Sequence, residues 1–163
     1  MWILLLLVLK LEAAPPDWQI LEPCWFREDL PYDADSFYLQ LPDETVVHFR
    51  LYEVDAPETG HRLPDRVQAQ ARFFNLTPQQ TIALGNEAKE FVAFCLRDQP
   101  LTIRTVWRRI LSPDRSPRYA AHVETNWGDL GEILLELGFA RPHGYKSPLH
   151  TTSYLLGKKA GGS

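Results

Sequence analysis

Ser36-Phe37-Tyr38-Leu39-Gln40-Leu41-Pro42-Asp43-Glu44-Thr45-Val46-Val47-His48-Phe49-Arg50-Leu51-Tyr52-Glu53-Val54-Asp55 is the stretch that decides the fold. Phe37, Leu39 and Leu41 alternate with Tyr38 and Gln40, the period of a strand with one face on a core. Pro42-Asp43-Glu44-Thr45 has the composition of a turn. Residues 46–54, rich in β-branched and aromatic side chains, read as a second strand. If the hairpin turns around residues 43–46, paired positions add to about 90, and so do Asp35 and Asp55. Directly opposed side chains lie about 4.5–5.5 Å apart. Two carboxylates that close repel unless a cation or a proton intervenes, and hard oxygen ligands suit Ca²⁺ or Mg²⁺. The plainer alternative is two solvated aspartates at strand ends, where turn chemistry favours Asp.

Working outward, Leu101, Ile103, Thr105 and Trp107 put one face on a third strand, residues 119–125 read as a fourth, and 108–118, with two prolines, reads as a loop. Residues 15–31 are proline-studded and show no assignable period. Val67, Ala71 and Phe74 follow helical spacing. Thr77-Pro78-Gln79-Gln80 is a capping box with proline at the first helical position. Gly85 is expected to end that short helix before another resumes over 87–97. Asp129 resembles a further cap, and Gly138 closes the helix it starts. Strands first, with helices inserted and appended, give an α+β fold on an antiparallel sheet.

The 163 residues fit one domain, and 45% apolar, 12% aromatic and 23% charged residues exclude collagen, coiled coil and wholesale disorder. The formal net charge is −4, so a polyanion site must be local rather than a product of bulk positive charge. Residues 2–9 are uninterrupted hydrophobe, about half of the roughly 20 residues a spanning helix needs. With Ala13-Ala14-Pro15-Pro16 following, residues 1–14 read as a signal peptide, or an N-terminal anchor if uncleaved. That predicts a secreted or periplasmic protein with no stable membrane insertion after processing. Its domain spans 15–148, and 149–163 forms a flexible tail. Cys24 and Cys95 leave a bridge open, though Cys95 reads as a buried helical thiol. The five histidines show no metal-ligand spacing, and His122 reads as structural.

Arg104, Arg108, Arg109, Arg115 and Arg118 crowd one segment, opposed only by Asp114. A basic loop on an acidic chain suits a polyanion, and arginine suits bidentate phosphate binding; an ordinary solvated hairpin tip is the bland alternative. Arg50 puts a permanent charge inside a strand, and Glu58, three residues beyond Asp55, stands where a carboxylate can orient or activate water. Asp33 shares parity with Asp35 and stands as a weaker or outer ligand. Strict alternation sets Arg50 opposite in parity to Asp55, so a bulge or strand end must reconcile them.

Arg50-Leu51-Tyr52-Glu53-Val54-Asp55-Ala56-Pro57-Glu58-Thr59 closely resembles the signature of the staphylococcal nuclease (thermonuclease) family: Arg, five residues later Asp, then Pro-Glu-Thr. Asp33-Ala34-Asp35-Ser36 is similar to that family's preceding Asp-Gly-Asp motif, Gly85-Asn86-Glu87-Ala88 to its Gly-x-Glu-Ala segment, and 130–140 to its terminal helix. Arg118 takes the place of its second catalytic arginine. The resemblance runs in order over roughly 30–145. It implies an OB-fold, a five-stranded antiparallel β-barrel with about three packed helices, and calcium-dependent endonucleolytic hydrolysis of DNA and RNA leaving 3′-phosphates. Asp35, Asp55 and the Ala56 carbonyl would ligate Ca²⁺, Glu58 would orient the water, and Arg50 and Arg118 would grip the phosphate. Arg104, Arg109, Arg115, Tyr119 and Tyr145 are expected to contact substrate, and the protein to act as a monomer. Two departures stand out. Ser116-Pro117 replaces a frequent Tyr-Gly, and an insertion around 63–84 lengthens the loop after Glu58, forming helices that shape the groove. The contrasting expectation is a non-catalytic OB-fold module that binds nucleic acid or protein, signalled by loss of Arg50, Glu58 or Arg118; all three are present.

Overall fold

The computed structural model describes residues 17–111 and 116–142. The signal or anchor segment, the proposed tail, Arg115 and Tyr145 lie outside the described residues. The described chain is an α+β fold of OB type. Its strands are β1 (Gln19–Phe26), β2 (Ser36–Gln40), β3 (Val46–Leu51), β4 (Val54–Asp55), β5 (Leu101–Leu111), β6 (Pro117–Thr125), β7 (Gly128–Asp129) and β8 (Arg141–Pro142). Its helices are α1 (Pro64–Phe74), α2 (Pro78–Leu96) and α3 (Leu130–Glu136).

The β2–β3 hairpin forms as its alternation predicts, but four positions tighter than expected. Ser36 faces Arg50 and Gln40 faces Val46, so partners add to 86 rather than 90. The turn sets that register, with the Leu41 N–H on the Thr45 carbonyl and the Glu44 N–H on the Leu41 carbonyl. Phe37, Leu39, Phe49 and Leu51 are 0–2% exposed on its interior face, and slipping β3 by one residue would turn Phe49 and Leu51 outward, at about 1.5–3 kcal/mol each. Asp35 therefore lies opposite Leu51, whose N–H donates to the Asp35 carbonyl (2.9 Å).

The large sheet runs β3-β2-β1-β5-β6-β7, and β3 also pairs with β6. That last pairing is parallel, Phe49 beside Tyr119 and Arg50 beside Ala120, which corrects the all-antiparallel expectation. A hydrophobic cluster fills the interior with Phe37, Phe49, Ile103 and Val123 from the strands, Val92 and Leu96 from α2, and Leu130 and Leu134 from α3. β1, which the sequence left unassigned, buries only Cys24 and carries an irregularity between Leu21 and Cys24, where Pro23 has no N–H to give. β5 runs on to Leu111 through a left-handed Trp107 (φ 54°), so most of the expected loop is strand.

The capping box at Thr77 forms in both directions. α2 then continues unbroken through Gly85, contrary to the expected stop. The reason is tertiary: a Cβ at Gly85 would fall 2.4 Å from the Glu58 carbonyl oxygen and 2.6 Å from that of Pro57. The glycine admits the helix against the 57–58 backbone rather than ending it. Asp129 caps α3 by accepting from the Glu132 N–H, and Gly138 follows with φ +74°. Cys24 and Cys95 are both buried free thiols, and burial, with Asp43 and Glu22 nearby, pushes Cys24 up to about 11.

Candidate active site

The strand ends at Leu51 and the chain turns through Tyr52 and Glu53, the latter left-handed at φ 59°. This break is what reconciles the parity of Arg50 and Asp55. It folds β4 back so that Asp55 shares one guanidinium with Asp35. Arg50 Nη1 donates to Asp35 Oδ1 at 2.9 Å, while Nη2 reaches Asp55 Oδ1 at 3.4 Å and the Val54 carbonyl at 3.3 Å. Asp35 Oδ2 accepts from the Ala56 N–H at 2.8 Å. The two acids do meet, through an intervening cationic side chain and not through direct opposition on the hairpin. Among the described residues Arg50 engages three of its five N–H donors, which leaves two for a ligand.

The insertion completes the surroundings of Asp55. From α1, Arg66 donates to Asp55 Oδ1 (2.6 Å) and pairs with Glu58 Oε1 (3.0 Å). Gln70, one turn later and fully buried, donates to Asp55 Oδ2 (3.1 Å) and to the Ala56 carbonyl (3.0 Å), and accepts from the Glu58 N–H (3.0 Å). A flipped amide would aim its oxygen at a carboxylate and its NH₂ at an N–H, so the network fixes the orientation. Arg141, held opposite Asp55 by the β4–β8 pair, donates to Asp55 Oδ2 at 2.8 Å and to the Ala69 carbonyl at 3.4 Å.

These neighbours separate the carboxyls. Burial would raise Asp55, but Gln70, Arg66, Arg141 and Arg50 outweigh it and hold Asp55 below the usual carboxylate range. Asp35 goes up: burial leads, Arg50 and the Ala56 amide counter it, and Asp55 and Asp33 add to it. Glu58 also rises through burial, against Arg66 and with the three aspartates. Asp33 itself is exposed, and its Oδ1 accepts from the Thr59 hydroxyl at 3.5 Å.

Register places Arg118 on the outer face with His48 and Arg50, since β6 runs parallel to β3 with Ala120 beside Arg50. Its Nη1 donates to Ser36 Oγ at 3.3 Å, one residue from Asp35. Arg50, Glu58 and Arg118 thus gather at the same end of the sheet. Of the other expected contacts, Arg104, Arg109 and Tyr119 lie among the described residues. Arg104 pairs with Glu124 at 3.0 Å, Arg109 is exposed on β5, and Tyr119 packs against the core with its ring edge-on to Trp107. Sequence reasoning missed Arg66, Gln70 and Arg141. The first two share one helix face with the buried Val67 and Ala71, a signal that alone reads as ordinary helix surface.

The model of the family described as staphylococcal nuclease homologue matches residues 48–159. The chain belongs to that family. Its match takes in Arg50, Asp55, Glu58 and Arg118, and begins after Asp35. No curated protein is similar enough to the chain to count as a match. The family supports a nuclease-type hydrolase acting on nucleic acid.

A family calcium ion can be tested against the donors present. A carboxylate offers about four lone-pair sites, and Asp55 already accepts from Arg50, Arg66, Gln70 and Arg141. The Ala56 carbonyl is engaged by Gln70, and both Asp35 oxygens are taken once. Among the described residues no group of three or more His, Cys, Asp or Glu is placed to hold a metal ion. Ca²⁺ takes 6–8 oxygens, so this arrangement does not fit it without displacing guanidinium groups.

Proposed function

We propose that the protein is an endonuclease that hydrolyses phosphodiester bonds of DNA and RNA and leaves 3′-phosphates. The observation that carries the reading is the convergence of Arg50, Glu58 and Arg118 at one end of the sheet, in a chain of the nuclease family. A bound phosphodiester would lie against the free N–H groups of Arg50 and the guanidinium of Arg118. Both charges are fixed before substrate arrives and oppose the extra negative charge of the pentacoordinate state. Glu58 orients a water toward phosphorus and takes its proton as the P–O bond forms; the 5′ oxygen leaves and is protonated from solvent. Burial and the neighbouring aspartates raise Glu58 toward the range where a carboxylate is a better base. The family resemblance adds a calcium requirement; the donor set described above does not fit it, and no step here runs through a cation. The apolar segment 2–9 supports action outside the cytoplasm.

The test is hydrolysis of single-stranded DNA by the purified protein, assayed in chelator and in Ca²⁺. Glu58→Gln and Arg118→Ala should each lose about 10²–10³-fold in rate while remaining folded. Unchanged turnover in either variant removes that residue from the chemistry. A folded wild type that binds single-stranded DNA and never cleaves it would instead be the non-catalytic module.

A further inference from the structure

We propose that this chain supplies its own cation: Arg66 and Arg141, with the Gln70 amide beside them on Asp55, take the oxygens a divalent ion would use, so the site binds phosphate without one. The proposal rests on the nuclease reading only for the identity of the ligand. Asp55 is 1% exposed and has four donors on its two oxygens, two guanidinium groups on Oδ1 and one guanidinium and one amide on Oδ2. That fills its lone pairs.

Charge points the same way. Three carboxylates, Asp35, Asp55 and Glu58, are contacted by three guanidinium groups, Arg50, Arg66 and Arg141. The cluster is already balanced. A divalent ion would bring two uncompensated positive charges beside side chains that cannot deprotonate, in a site where water screens poorly.

The donors also sit on fixed elements. Arg66 and Gln70 are one turn apart on α1, and Arg141 is set by the β4–β8 pair and tied back to α1 through the Ala69 carbonyl. Removing Gln70 from its place would take this partner from the Ala56 carbonyl and the Glu58 N–H and one of four donors from Asp55. A loose surface arginine would yield to an ion easily, and this set does not. Arg66 nevertheless keeps 40% of its side chain exposed while it bridges Asp55 and Glu58, so it can face an incoming phosphate while neutralising the acids beneath.

The experiment uses the full chain, stripped of metal with a chelator, and does not depend on turnover. Calorimetric titration with CaCl₂ should give no saturable heat, and the thermal midpoint should be the same in chelator and in millimolar Ca²⁺. A short phosphorothioate oligonucleotide should bind with one Kd under both conditions. Arg66→Met, which keeps the aliphatic length, should weaken that binding in chelator at least tenfold, and Arg66→Lys should recover part of it. Saturable Ca²⁺ binding by the wild type with a raised midpoint would overturn the proposal. So would oligonucleotide binding that appears only with Ca²⁺, or an Arg66→Met variant that binds as tightly as the parent. Failure to bind the oligonucleotide in either condition would strike at the nuclease reading, and the calcium titration would still decide whether the guanidinium groups have displaced the ion.

Discussion

Under the proposed nuclease reading, replacing Gly85 by alanine should slow cleavage far more than it unfolds the chain. The added Cβ would lie 2.4 Å from the Glu58 carbonyl oxygen, where ordinary contact begins at 3.4 Å, so something must move by 1.0 Å. Neither side is soft. α2 is anchored in the core by Ala88, Val92 and Leu96, and the 55–58 segment is held through Gln70. Overpacking of this kind costs about 1–3 kcal/mol. Alanine's better helix propensity returns about 1 kcal/mol, so net destabilisation should be about 0–2 kcal/mol. The displaced backbone, however, carries Glu58, and a misplacement of that size costs about 10²-fold in rate. Urea unfolding followed by fluorescence gives the first quantity, and cleavage of single-stranded DNA the second. A Gly85→Ala protein with the parent's midpoint and the parent's rate would refute the packing argument outright. A large loss of stability with a normal rate in the folded fraction would show that α2, not the 57–58 backbone, gives way.

Two further expectations follow from the charges. Arg104→Ala and Arg109→Ala, which lie away from the carboxylates, should change the salt dependence of nucleic-acid binding while leaving turnover at saturating substrate intact; a rate loss matching that of Arg118→Ala would place them in the chemistry. Asp129 caps α3 and pairs with His122 at 3.1 Å. Burial would raise its carboxyl, but His122 and the amides of Glu132 and Gly131 outweigh that and lower it. Its stabilising contribution is therefore complete above the ordinary carboxylate range and fades as pH falls through the lowered value. Asp129→Ala should cost about 1–2 kcal/mol near neutral pH, and a gap from wild type that stays constant into strong acid would contradict the assignment.

The hairpin and the Arg50 to Glu58 signature were legible because they are local: alternation sets the strands, and the motif is contiguous. The exact register was not, since the turn holds Glu44 left-handed at φ 70° with no glycine to announce it, and the later break at Glu53, φ 59°, is hidden the same way. Asp35 and Asp55 share the Arg50 guanidinium, but not through the direct opposition that the count expected. β1 hid because a strand that buries one cysteine leaves no period to read. Gly85 looked like punctuation because a helical glycine has two meanings, and only the 57–58 backbone passing beside it selects the second. Arg66, Gln70 and Arg141 were invisible for a related reason. Polar residues on a helix and after a terminal turn look solvated until the element they dock against is known, and here that partner is a carboxylate 86 residues away from Arg141 in sequence.

The two-residue pairing of β4 with β8 sets an order on biosynthesis. Asp35, Asp55 and Glu58 leave the ribosome early, whereas Arg141 follows 83 residues after Glu58, roughly 4–17 s later at ordinary translation speeds. Through that interval the nascent chain holds acids that lack one of their counterions, and this end of the sheet lacks β6 for most of it. If phosphodiesters are its substrate, the message being translated is among them, and the topology itself keeps the scissors open until the reading is done.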